Sequence, residues 1–276
     1  MNTRNEHAVC NSLLGSKLLI ITMCFTLYLC TGWAQSVFAS TGPNRILFTG
    51  NSFSFYNNGI HNNVGSLKRS AGEWKKGDRY RLLTLSGSHI YEHLPILDAV
   101  LSGKDERWDA IVLQGHSNEP VTSEKSENFE VSIGKAIDMI KDKSILPILF
   151  MTWEYEGDTK MGKDLAKAYS KVAAKHKVPV VPVGLAFAKS QQLYPNIALY
   201  VPDVLGVSNI DTAPALRYRK ALKHPSSAGT YLAACVFYAA LYNKSPEGLI
   251  FTADLPTAEA AKLQTLAWQV VEDFKK

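Results

Sequence analysis

Ser52 sits in Arg45–Ser54, RILFTGNSFS, where a short apolar run ends in Thr49-Gly50-Asn51-Ser52. A buried strand running into a tight turn presents such a hydroxyl on a rigid, accessible tip. A serine hydroxyl is a poor nucleophile near neutral pH; it needs a base within hydrogen-bond reach and a third group to orient that base. The candidate base lies far downstream, His224 in Lys223-His224-Pro225-Ser226. Either residue alone has a simpler reading, a serine that shapes its turn or a histidine that caps a helix. Their joint occurrence with a strand end favours nucleophile and base. Acyl transfer also needs donors for the oxyanion. Ser52 offers its own N–H, Gly87 offers a backbone that substrate can approach closely, and Gln114 or Asn118 offers a side-chain amide. His116 shares the loop of the last two and is expected to line the pocket. Trp153 is expected either to stack on a sugar ring or to pack in the core.

These residues need a scaffold that brings strand ends together. Apolar runs at Ile46–Phe48, Tyr80–Leu85, Asp109–Leu113, Ile145–Thr152 and Val178–Val183 read as five strands. Between them, helical spacing appears over Asn58–Ala71, Tyr91–Leu101, Glu130–Ile140 and Met161–His176, with further helices after His224 and over Thr257–Phe274. Near-continuous apolar strands alternating with amphipathic helices predict a parallel sheet covered on both faces, a three-layer α/β/α sandwich with a central five-stranded sheet. Ligands of such sheets bind outside the carboxyl ends of the strands, where Ser52, Gly87 and Gln114–Asn118 would converge. Pro202–Lys223 is polar and aperiodic, and reads as a long loop beside His224.

The N-terminus reads as an export signal. Arg4 and Lys17 precede an apolar run, Leu18–Cys30, and Val37-Phe38-Ala39 resembles a cleavage site. Residues 1–39 are therefore expected to be a signal peptide and 40–276 a single domain, secreted or periplasmic, without stable membrane insertion after cleavage. The net charge is +5, of which Arg4, Lys17 and Glu6 supply +1. Basic residues are interspersed with acids, so nucleic-acid binding is not expected. Three of the four cysteines lie in the export segment, leaving Cys235, in an apolar helical stretch, with no partner for a disulfide. His89 and His93 are four apart, but no third ligand accompanies them, so neither metal nor cofactor is expected. The turn at Thr49–Ser52 lacks the Gly-Lys-Ser/Thr of a phosphate loop, and Ser54 stands where the G-x-S-x-G elbow needs its last glycine.

The blocks Gly50-Asn51-Ser52-Phe53-Ser54, Gly87, and His224-Pro225-Ser226 followed by Gly229-Thr-Tyr-Leu-Ala-Ala together resemble the SGNH (GDSL-like) hydrolase superfamily, over nearly the whole chain after the signal. The resemblance implies a flavodoxin-like fold and metal-free esterase chemistry, often deacetylation of carbohydrates, with a small-molecule or polysaccharide ester as partner. Gln114-Gly115-His116-Ser117-Asn118 departs from the superfamily's Gly-x-Asn-Asp block and is closer to the Gln-Gly-Glu-Ser of sialate acetylesterase-like relatives. That makes Gln114 the first candidate donor and Asn118 the second. The superfamily's acid commonly stands three residues before the histidine, where this chain has Ala221. A Ser52–His224 dyad is the preferred expectation, with Asp203 or Asp211 as possible acids. A non-catalytic carbohydrate-binding protein that lost the acid is the alternative.

Overall fold

In a computed structural model of the chain, residues 42–103 and 107–276 are described. The expected signal segment lies outside them. Five parallel strands form the sheet: β1 (Arg45–Gly50), β2 (Arg79–Thr84), β3 (Ala110–Leu113), β4 (Leu146–Phe150) and β5 (Val180–Val181), in the order β2-β1-β3-β4-β5. Side chains alternate across a strand, and here the alternation sorts the core into two layers. Ile46, Phe48, Val112, Ile148 and Phe150 face one; Leu47, Ile111, Leu113 and Leu149 face the other.

The first layer is covered by α2 (Ile60–Ser70), α6 (Val183–Leu193), α7 (Ser227–Tyr242) and α8 (Thr257–Phe274). The second is covered by α3 (Ile90–Ser102), α4 (Ser123–Lys141) and α5 (Thr159–His176). The expected sandwich is therefore the observed one. A further single turn, α1 (Ser52–Phe55), starts at the candidate nucleophile. Helix α7 is buried along nearly its whole length, since it lies between the sheet layer and α8. Its alanines make that close fit cheap, and burial of Cys235 within it pushes the thiol up, away from reactivity. Among the described residues no helix is long and apolar enough to cross a membrane.

Three elements differ from the sequence-based expectation. The fifth strand is short, because Pro182 ends it and caps α6, whose apolar residues continue the strand's composition without a polar break. Helix α4 begins at Ser123, ahead of the strongly apolar stretch that announces it. The expected Pro202–Lys223 loop is instead built around an antiparallel hairpin, β7 (Val204–Ser208) and β8 (Ala215–Tyr218), that follows β6 (Tyr200–Val201). Val204 pairs with Tyr218 and Val207 with Leu216, and a bulge between Val204 and Gly206 absorbs the odd spacing. Cross-strand partners share a face, so Val204, Val207, Leu216 and Tyr218 form one apolar face. All four are exposed. After the hairpin, β9 (His224–Pro225) pairs with β6, setting Val201 opposite His224.

Candidate active site

Because β2, β1, β3 and β4 run parallel, the segments following Thr84, Gly50, Leu113 and Phe150 emerge at one edge of the sheet. Asn51 shapes the turn after β1. Its Oδ1 accepts from Phe53 N–H at 3.2 Å and from Gln114 Nε2 at 2.7 Å, while its Nδ2 donates to Ser88 O at 3.0 Å. Gln114 Oε1 in turn accepts from Ser54 Oγ at 2.6 Å and Asn51 N–H at 3.2 Å. A Cβ on Gly50 would fall 2.3 Å from that same Oε1, so the close approach requires glycine. Buried amides whose every nitrogen and oxygen is hydrogen-bonded make a rigid network, and this one holds Ser52 at the tip of the turn.

His224 comes to Ser52 from the opposite end of the chain. Its Nε2 lies 2.8 Å from Ser52 Oγ, and its Nδ1 is hydrogen-bonded to Asp203 Oδ1. A carboxylate only accepts, so Nδ1 carries the proton and Nε2 presents its lone pair to the serine hydroxyl. The preferred dyad is thus corrected: a carboxylate does meet the imidazole, and it arrives from the foot of the hairpin rather than from position 221. Asp211 does not take this place, being exposed in the turn at the hairpin's far end.

Two residues that sequence reasoning missed hold His224, and a third, Arg219, holds its carboxylate partner. Tyr56 stacks on its ring with centroids 4.5 Å apart and planes within 4°. Burial and the nearby Asp203 charge raise the Tyr56 phenol, so it stays protonated and acts through its ring face. Asn57 Nδ2 donates to Pro225 O at 2.9 Å and to Thr230 Oγ1 at 2.8 Å. Arg219 Nε lies 3.3 Å from Asp203 Oδ2. Tyr56 and Asn57 follow the nucleophile in sequence, and that proximity was the only available signal.

Of the two readings of Trp153, the core residue is the one observed, and the substrate-binding one falls. It is fully buried, stacked between Phe53 at 4.4 Å and Phe187 at 4.2 Å, with planes within 4° of each ring. Its Nε1 donates to Lys223 O at 3.0 Å. Phe53 follows Ser52 and Lys223 precedes His224, so one indole ties nucleophile and base together. Each stacked pair contributes about 1 kcal/mol beyond its buried area.

The expected oxyanion donors divide. Gln114 is corrected: its second amide hydrogen goes to Gly115 O at 2.8 Å, so both hydrogens are spent inside the turn network. Gly87 is the third residue of a turn closed by Ser88 N–H to Leu85 O at 3.3 Å. Its φ of +66° favours glycine, while a Cβ there would meet nothing within 4 Å. Conformation, not crowding, selects glycine there. Asn118 Oδ1 accepts from His116 Nδ1 at 2.9 Å, which turns its amide nitrogen away from that ring. His116 stacks on His89 at 4.5 Å. Burial, with His89 close by, lowers His116 to about 4, so it is neutral at neutral pH. Glu119, fully buried, accepts from His116 N–H at 2.9 Å and lies 3.2 Å from His89 Nδ1, pinning this wall. Among the described residues no group of three His, Cys, Asp or Glu is placed to hold a metal ion.

No family model and no curated protein matches the chain. Solved structures do. A DUF4886 family protein from Bacteroides uniformis superposes with a TM-score of 0.62 at 15% identity, covering 84% of this chain and 95% of that one. A candidate SGNH hydrolase from Slackia heliotrinireducens superposes with a TM-score of 0.52 at 22% identity, covering 71% and 97%. The acetyl xylan esterase AlAXEase gives a TM-score of 0.52 at 16% identity, covering 71% and 98%. At these identities the likeness is one of fold, and the fold is that of the SGNH hydrolases.

Proposed function

We propose that this chain is an exported serine esterase that removes O-acetyl groups from carbohydrates. The observation that carries the reading is the relay Ser52 Oγ–His224 Nε2, at 2.8 Å, with Asp203 on the other ring nitrogen. Ser52 Oγ attacks the ester carbonyl as His224 takes its proton; His224 then protonates the leaving alcohol, and the acyl group stays on Oγ. Water repeats the sequence, releasing the acid and restoring the serine. Asp203 accepts from the ring throughout and stabilises the imidazolium. Ser52 N–H, Gly87 N–H and the Asn118 amide nitrogen are the oxyanion donors in this reading, each worth about 10²–10³ in rate.

The carbohydrate part draws support from the fold shared with an acetyl xylan esterase. It also draws on an aromatic edge formed by half-exposed Tyr91 stacked on His89, which stacks on His116. The non-catalytic alternative rested on a missing acid, and Asp203 beside His224 removes that motive. Turnover of 4-nitrophenyl acetate, and of acetylated xylo-oligosaccharides by acetate release, is the test. Ser52→Ala and His224→Ala should each lose at least about 10³-fold in kcat/KM. Equal turnover by Ser52→Ala would sink the mechanism; activity on the aryl ester alone would sink the carbohydrate assignment.

A further inference from the structure

The feet of the β7–β8 hairpin meet the site. Asp203 directly precedes β7 and Arg219 directly follows β8. Arg219 N–H donates to Asp203 O at 2.9 Å, closing the hairpin's base, and Arg219 Nε lies 3.3 Å from Asp203 Oδ2. The carboxylate is therefore shared, one oxygen facing the imidazole and the other the guanidinium. Its charge also reaches Lys223 and the Tyr56 phenol. His224 pairs through β9 with β6 and has two further ties of its own, Trp153 through Lys223 and Asn57 through Pro225. Asp203 follows β6 by two residues, and its carboxylate is held by His224 and Arg219. Its side chain is 11% exposed, at the root of an arm whose own strands face water.

We propose that Arg219 is a positioning residue that turns the Asp203 carboxylate toward His224, and that the hairpin is the arm that delivers this acid to the site. A carboxylate on a surface hairpin has a rotamer that points it into solvent, where water satisfies both oxygens. The guanidinium at the opposite foot removes that choice by holding Oδ2, which leaves Oδ1 for the ring. The triad is then complete only while the two feet are closed together. The effect on turnover rests on the esterase reading; the carboxylate–imidazole geometry does not.

The test compares the full chain with Arg219→Gln, Arg219→Lys and Asp203→Asn. It reads kcat and KM on 4-nitrophenyl acetate, together with the downfield proton resonance of His224 Nδ1–H. Arg219→Gln should lower kcat about tenfold, the size expected for a residue that orients a catalytic partner, with KM within about twofold. It should broaden or remove the resonance, as Asp203→Asn should, and Arg219→Lys should recover most of both. Unchanged kcat and an unchanged resonance in Arg219→Gln would overturn the proposal. So would a wild-type chain without the resonance, whatever its turnover. A wild type that turns over no ester, yet shows a resonance that Arg219→Gln removes, would sink the esterase reading and leave the positioning role standing.

Discussion

The two halves of this site are built to different standards. The nucleophile turn hangs from β1, an interior strand of the sheet, inside a closed set of amide hydrogen bonds among Asn51, Ser54, Ser88 and Gln114. The acid stands at the root of a two-stranded hairpin with apolar side chains in water, held laterally by one arginine. His224 bridges the two, and most of its supports come from the nucleophile side. The difference shows which group the fold must place to a fraction of an ångström and which it can bring by a longer lever. Attack geometry is steep in distance, whereas a carboxylate acts by orienting and charging the ring.

The sharpest way to break this comparison is to remove the acid. Asp203→Asn should cut kcat by about 10²–10⁴-fold, since the amide offers the ring the wrong partner and tautomer. Asp211→Asn should stay within about twofold of wild type; kinetics on an aryl acetate compare the two. If Asp203→Asn proved silent, the hairpin half would be irrelevant to turnover. A smaller effect probes the bridge between the halves. Trp153→Phe keeps a ring between Phe53 and Phe187 but deletes the hydrogen bond to Lys223 O. The expected result is a kcat loss of about tenfold and a melting temperature lower by about 2–4 °C, from roughly 1 kcal/mol of lost bonding. Equal stability would mean that the bond contributes nothing.

The smallest effect concerns the residue beside that indole. Glu154 is fully buried, accepts from Gln191 Nε2 at 2.7 Å, and leaves Oε2 without a protein partner. Burial raises its carboxyl above the ordinary range. A raised folded-state value means that its favourable contribution is complete below the unfolded value and declines as pH rises through the folded one. Glu154→Gln should therefore melt higher than wild type at neutral and alkaline pH, by about a few °C, with the advantage shrinking on acidification. A difference constant across pH would contradict this assignment.

What sequence reasoning reached follows the same division. The central strands announced themselves because residues such as Ile46–Phe48 and Ile111–Leu113 are buried on both faces and leave a continuous apolar signal. Ser52 and His224 stood at element boundaries, so their types and places were readable together. The hairpin left no such signal: its apolar residues face water, and its bulge breaks the alternation that would mark a strand. The superfamily's usual acid position, three residues before the histidine, holds Ala221; the acid is Asp203, one of the two loop carboxylates offered by the sequence, and it stands 21 residues before His224, a distance fixed by the hairpin rather than by a local motif. Gln114 was legible as an amide at a strand end, but its orientation depended on a glycine and an asparagine distant in sequence. Trp153 stayed open between two readings for a related reason, since a large aromatic at a strand end carries the same letter whether it faces a ligand or a core.

Gly50 brings the unequal construction into the terms of protein engineering. Any side chain at that position would strike Gln114, so a randomised library over the nucleophile turn should return mostly inactive clones. The hairpin's outward strands, Leu205–Ser208 and Ala215–Arg217, carry little packing and lie between the two feet that matter. Selection for altered substrate range should therefore accumulate its accepted substitutions there, with Asp203 and Arg219 held fixed: an evolvable margin hinged to a frozen centre.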